Sequence, residues 1–225
     1  MASMNENDGL IAYNGSLATE NLNKFREDIE GVLTALNVYY AALMNSVRSY
    51  WASSKAVEFY KKYDPKFQEI INGGVSDANS LIERAAGAVS AMARANGGTF
   101  SYGAKAAVSI SVVSPPLSEV EGWIGINLKS IQEALNEFKA SIEKVKTRLS
   151  EMNSSIAVYD TNNNVQSLYA DKIASLKTKI ETATSDVDTD ITNAITEQNE
   201  IISAAKSRIE AILSQTASSL SSSMA

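Results

Sequence analysis

The chain has 225 residues, 44% hydrophobic and 20% charged, with a net charge of −6 and a pI near 4.9. That acidity, with no clustered Lys and Arg, argues against nucleic acid as a main partner, because phosphate contacts need basic patches. The sequence contains neither His nor Cys, which removes imidazole bases, thiol nucleophiles, Cys/His zinc sites and disulfides.

Three prolines and 7% aromatics, with abundant Ala, Ser, Glu, Lys and Leu, favour helix over sheet. Residues 1–15 are polar, end on Asn14-Gly15 and read as a loose tail. They lack the basic stretch and apolar core of a Sec-type signal peptide. No apolar run in the chain approaches the roughly 20 residues needed to cross a bilayer. The expectation is a protein that is soluble when made.

Leu22, Phe25, Ile29, Leu33, Leu36, Tyr40, Leu43 and Val47 recur at spacings of three and four, which predicts a long amphipathic helix over about 17–49. Ala52-Ser53-Ser54 then reads as a tight turn, with Ser54 as cap of the next helix. A second series resumes at Ala56, Phe59, Tyr63, Phe67 and Ile70 and runs to Val89 and Met92. Its phase survives both Asp64-Pro65 and Gly73-Gly74, so one helix kinked at the proline is expected over 54–95. The competing reading stops a short helix at Tyr63 and restarts it with Pro65 in the first turn. Gly97-Gly98 ends this element.

The period then changes. AAVSISVV (106–113) and VEGWIGINL (120–128) alternate on either side of Ser114-Pro115-Pro116, so 104–127 reads as a small β-hairpin or an extended arm. A helix opening at the Ser118/Glu121 capping box is the alternative. Leu128, Ile131, Leu135, Phe138, Ile142, Val145, Leu149, Met152 and Ile156 form the cleanest heptad, and Asp160–Asn164 supply a polar turn. The last series starts at Tyr169, Ile173, Leu176 and Ile180, continues through Val187, Ile191 and Ile195, and ends at Ile202, Ala205, Ile209 and Ile212. The serine-rich residues 215–225 are expected to fray.

The chain therefore divides into a tail (1–15), a helical hairpin (16–97), an extended or β arm (98–127), a second helical hairpin (128–214) and a tail (215–225). Short turns make each pair antiparallel. A lone hairpin leaves an apolar stripe uncovered, so the fold class is mainly α. The two long antiparallel hairpins form an elongated four-helix bundle, or each pairs with another copy. Shifting the chain by 109 residues superposes Leu33 on Ile142, Tyr40 on Leu149 and Tyr50 on Tyr159. Any two heptad series can be made to coincide, so a true duplication stays open.

Asp186-x-Asp188-x-Asp190 with Glu197 copies part of an EF-hand calcium loop, but the required glycine is replaced by Ile191, a member of the helical stripe. The acidic run is read as the solvated face of the last helix. No carboxylate pair, phosphate loop or nucleophile–base set stands out. No catalytic residue, cofactor or metal is expected. Trp51 reads as a packing residue beside a turn, and Trp123 as part of a partly exposed arm.

The turn resembles the WXG family, small helical hairpins exported by type VII secretion systems. Trp51, Ala56 five residues on and Phe59 eight residues on keep the family's spacing over residues 17–96, with a long helix on either side. Ser53 stands where the family has Gly, and Lys55 occupies a small-residue position. The family's export signal, Tyr-x-x-x-Asp/Glu, follows the second helix, whereas Tyr60–Asp64 here lies within it. The resemblance implies a bacterial, non-enzymatic protein exported without a Sec signal, and the second hairpin is then a diverged copy in a fused pair. A cytoplasmic location or a virion is the alternative.

The turn motif (Trp51, Ser53, Ala56, Phe59) and an arm surface (Val108, Ile110, Val112, Trp123, Ile124) are the candidate site residues. The expected partner is another protein, or a second copy of the chain, bound through the apolar helix stripes. Two rival readings are a structural component of a phage particle or injection machine, and a helical pore-forming toxin component. In the latter, 104–127 is a membrane tongue, the one route to a membrane role.

Overall fold

The computed structural model describes residues 14–102, 108, 110–111, 125–160 and 165–223. In chain order they form α1 (Gly15–Tyr50), β1 (Trp51–Ala52), α2 (Ser54–Ala95), β2 (Gly125–Ile126), α3 (Leu128–Ser154), the short α4 (Ile156–Tyr159) and α5 (Gln166–Ser223). The architecture is a bundle of four long helices with a small two-stranded antiparallel sheet.

α1, α2 and α3 each start where the sequence supplies an acceptor for free backbone N–H groups. Asn14 caps α1, accepting from Leu17 N at 3.0 Å, so Asn14-Gly15 opens the helix rather than ending a tail. Ser53, not Ser54, caps α2, its Oγ accepting from Ala56 N at 3.3 Å. Asn127 caps α3 through Ser130 N at 3.1 Å. α2 runs unbroken from Ser54 to Ala95 through Pro65 and both internal glycines. The apolar stripe holds it: Phe59, Tyr63, Phe67, Ile71, Ala78 and Ala85 are all buried, and packing outweighs the hydrogen bond lost at the proline.

α1 packs on α2 and α3, and α5 packs on α3 and α2. Every neighbouring pair is antiparallel, so α2 and α3 run in the same direction on opposite corners. The chain must therefore return the length of the bundle between them. Near its lower end Tyr102 Oη donates to Asn23 Oδ1 (2.9 Å). Higher up, Asn79 holds the backbone of Val108 and Asn37 Nδ2 donates to the Ser111 carbonyl (2.9 Å). At the top, Gly125–Ile126 pair with Ala52–Trp51. Asn23 to Ala52 spans about 45 Å of helix, within the reach of the segment from 102 to 125, roughly 75 Å fully extended.

The described parts of the arm, at Tyr102, Val108, Ser111 and Gly125–Ile126, are thus points of a strap held against α1, α2 and the Trp51 turn. The sheet forms between the Trp51 turn and the end of the strap, by a long-range pairing that alternation within 104–127 did not reveal. Residues 103–107, 109 and 112–124 lie outside the described residues, and with them the expected hairpin turn at Ser114–Pro116.

Three aromatic layers run through the core. At the lower end Phe25 meets Tyr169 and Tyr159 edge-on at 4.7 and 5.4 Å. Midway, Tyr40 stacks on Phe67 at 4.8 Å and Phe67 meets Phe138 edge-on at 5.9 Å. At the top, Trp51, Phe59 and Tyr63 follow one another at 5.7 and 4.6 Å.

α5 departs most from expectation. It stays helical through the serine-rich stretch to Ser223, so the second hairpin does not end at 214. Its neighbours stop near Glu197, beside Lys55 in the first turn of α2. The last 26 residues, about 40 Å of helix, rise past the top of the bundle, and residues 199–221 are all exposed.

Candidate functional site

The Trp51 turn is built by three chain segments. α1 ends as Trp51 turns to extended backbone, its N–H still bonded to Val47 O. The indole is buried against Phe59, with ring planes tilted by 46°. Ala56, between them in sequence, is buried in the first turn of α2. The strap closes the site: Trp51 pairs with Ile126, and Asn127 N donates to Tyr50 O at 2.8 Å. Ser53 lies in extended backbone (φ −163°), so this turn has no need of the family's glycine there, and the serine hydroxyl serves as the cap.

Beside the indole lies an open groove of about 330 Å³, walled by Trp51, Phe59, Lys55, Lys62, Asp190 and Glu197. Two ion pairs cross it between α2 and α5. Lys55 bonds Glu197, and Lys62 Nζ reaches Asp190 Oδ2 at 2.7 Å. Tyr63 Oη donates to the same oxygen at 2.8 Å. Burial, then the bond to Asp190, pushes the Tyr63 hydroxyl up to about 12. The bonds to Asp190 and Tyr63 push the Lys62 ammonium to about 12. Burial alone would raise the Asp190 carboxyl, but Lys62 and Tyr63 outweigh it and hold it below the usual carboxylate value. Tyr63 and Lys62 move away from neutrality, the wrong direction for a general base or nucleophile.

The acidic run of α5 turns out to face both of its neighbours. Asp186 bonds Lys66 (2.5 Å) and Asp190 bonds Lys62, both on α2, while Asp188 bonds Lys139 (2.9 Å) on α3. With Lys172–Asp77 (2.7 Å) and Lys146–Glu181 (3.4 Å), these pairs follow the antiparallel register of α5 against α2 and α3. They do not converge on one point, and the run is continuous helix rather than a loop. No group of three or more metal-ligating side chains comes together among the described residues.

Comparison with protein-family models, with curated proteins and with solved structures returned no match. The site must be read from its own geometry.

Of the sequence-expected residues, the structure brings Trp51, Ser53, Ala56 and Phe59 together at the turn. Val108 is buried and Ile110 packs against the core, so both hold the strap to the bundle instead of facing a partner. Val112, Trp123 and Ile124 lie outside the described residues. Tyr60 and Asp64, the one Tyr-x-x-x-Asp pair, are built into α2. Tyr60 is buried, and Asp64 accepts from Tyr40 Oη and, at 2.8 Å, from Gln68 Nε2.

Sequence reading missed two features. Asn37 and Asn79 are the clamps of the strap. Asn37 was detectable as a polar residue at a stripe position, four after Leu33 and three before Tyr40. The second feature is the free end of α5, which shows Ile201, Ile202, Ile209, Ile212, Leu213 and Leu220 at 50–63% exposure. Periodicity marks those positions as apolar, but only the lengths of the neighbouring helices show that α5 outruns them.

Proposed function

We propose that this is a non-enzymatic helical protein that works through protein–protein contacts, with the projecting end of α5 as its contact surface. The observation that carries this reading is the row of six large aliphatic residues left at 50–63% exposure on the part of α5 that runs past the described ends of α2 and α3. Contiguous apolar surface of that kind marks an interaction site in a folded protein. The ion-paired groove beside Trp51, with Tyr63 and Lys62 pushed away from neutral pH, supports binding over catalysis.

The WXG resemblance is part of the proposal. Contact between Trp51 and Phe59 across the helical turn supports it, as does a second antiparallel helix pair completing the bundle. The strap is a structural closure of the bundle in this reading, not a second contact surface. The test is a photo-crosslinking residue at Ile209 in the producing cell. A defined protein adduct, lost when Ile202 is also changed to Lys, supports the reading. Absence of any adduct, to another protein or to a second copy, sinks it. Export through a type VII system, which the resemblance implies, is tested separately by secretion with and without the system's ATPase.

A further inference from the structure

The far end of α5 follows a heptad. Ile195, Ile202 and Ile209 fall at position a, and Gln198, Ala205 and Ile212 at position d, the alternation of three and four that makes a coiled-coil seam. Ile201 at position g and Leu213 and Leu220 at position e widen the stripe. At about 100° per residue, the six exposed aliphatic side chains lie within an arc of about 120°.

The charges around this arc are sorted by sign. Positions e and g border a seam and set its choice of partner. Past Gln198 they carry two charges, Lys206 at e on one side and Arg208 at g on the other. Glu200 and Glu210, the acids of this stretch, fall at f and b, farther round the helix. Among the described residues the ion pairs of α5 stop at Glu197, and neither Lys206 nor Arg208 has a partner. An apolar stripe with a cation on each border calls for an apolar stripe with anions on its borders.

We propose that the far end of α5 binds a helical segment of another protein whose own apolar stripe is bordered by carboxylates. The proposal rests on the reading of α5 as the contact surface and deepens it by giving the chemistry of the partner. A second copy of the chain lacks that chemistry. Paired antiparallel, e faces e and g faces g; paired parallel, g faces e. In both arrangements Lys206 and Arg208 meet cations or neutral residues and never an acid. A lipid surface has the wrong shape. The arc keeps the heading of Ile180 and Ile191, which are buried in the core, so a plane laid along it runs into the bundle. A helix is only about 10 Å across and can lie against the exposed side chains beyond the ends of α2 and α3.

The experiment uses the whole chain and two designed helical peptides. Both carry the same Leu and Ile stripe; one has Glu and the other Lys at every border position, and like charges keep each from pairing with itself. Fluorescence anisotropy at low salt should show the Glu peptide binding at least about fivefold more tightly. The preference should fade at high salt and reverse in Lys206→Glu/Arg208→Glu. Ile202→Lys/Ile209→Lys should lose both peptides with unchanged helix content. Equal binding of the two peptides, lost in the Ile variant, rejects the acidic partner but leaves the contact-surface reading standing. Binding of neither peptide at high micromolar concentration rejects the acidic partner too, and the Ile209 adduct then decides the contact-surface reading by itself. A dimer of the chain alone, or its cosedimentation with phosphatidylserine vesicles, overturns the proposal if the Ile variant abolishes it.

Discussion

Asn79 holds Val108 by both ends of its carboxamide: Oδ1 accepts from Val108 N at 2.8 Å, and Nδ2 donates to Val108 O at 3.3 Å. A side chain on α2 thereby does what a neighbouring strand would do, satisfying the backbone of a residue whose side chain is buried in the core.

Asn79→Ala should release this grip. It leaves a buried N–H and C=O without partners, which costs about 1–3 kcal/mol. The Val108 amide should exchange with solvent far faster, while amides in the middle of α3 keep most of their protection. If Val108 exchanges at the same rate in both proteins, the clamp is not what orders the strap.

Gly73 and Gly74 adjoin in α2 but face different surroundings. A Cβ on Gly73 meets nothing within 4 Å, whereas one on Gly74 would stand 2.7 Å from Leu33 Cδ2 and 3.6 Å from Leu176 Cδ1. Gly73→Ala should therefore stabilise the protein by about 0.5–1 kcal/mol through helix propensity. Gly74→Ala gains the same propensity but must displace Leu33, which is fully buried. Overpacking of about 1–3 kcal/mol then outweighs the gain. Thermal denaturation should show opposite signs. Two variants that shift the midpoint the same way would mean that α1 and α2 have room to separate at Leu33.

The contrast marks how far the sequence can be read. The apolar stripes at three and four are set by burial on one side, so Leu33, Phe67, Ile142 and Ile180 could be placed in a helical core from spacing alone. Which helices adjoin, and in which order, depends on partners more than a hundred residues away, as Lys66–Asp186 and Tyr159–Asp28 show. The Trp51 turn was legible because its aromatic spacing is local. The strand that covers it was not, because Gly125-Ile126 finds its partner at the far end of another element. Composition predicts fraying for the serine-rich end of α5, whereas the helix runs on to Ser223.

Ionisation should be felt only at the extremes of pH. Burial, then the bond to Asp64, raises the Tyr40 hydroxyl. Burial likewise raises Tyr159 and Tyr169, with Asp28 and Asp160 adding to it, and Tyr63 reaches about 12. A folded value above the unfolded one stabilises fully below the ordinary tyrosine pKa of about 10 and is lost as pH rises through the folded values. Asp190 is lowered, so its contribution is present above the ordinary Asp value of about 3.9 and fades as pH falls below it. With no His in the chain, stability should be nearly flat from about pH 5 to 9. Above that range, the part of the tyrosinate absorbance that belongs to Tyr40, Tyr63, Tyr159 and Tyr169 should appear only as helix is lost. Complete tyrosine ionisation in a still-helical protein would contradict the burial of these hydroxyls.

The Trp51 turn offers the sharpest energetic test. Trp51→Ala empties the space between Phe59 and the strap and should cost about 3–5 kcal/mol, with Phe59→Ala in the same range. Because the two rings touch, the double variant should lose less than the sum, by roughly 0.5–1.5 kcal/mol. Ser53 separates capping from packing. Ser53→Ala removes the acceptor for Ala56 N and should cost about 1 kcal/mol, whereas Ser53→Gly, the family's residue, should cost only a few tenths. Denaturant midpoints for the set decide the matter. Strict additivity of Trp51→Ala and Phe59→Ala would mean that each ring packs against the bundle independently, and that the turn is held by the strap and the Ser53 cap alone.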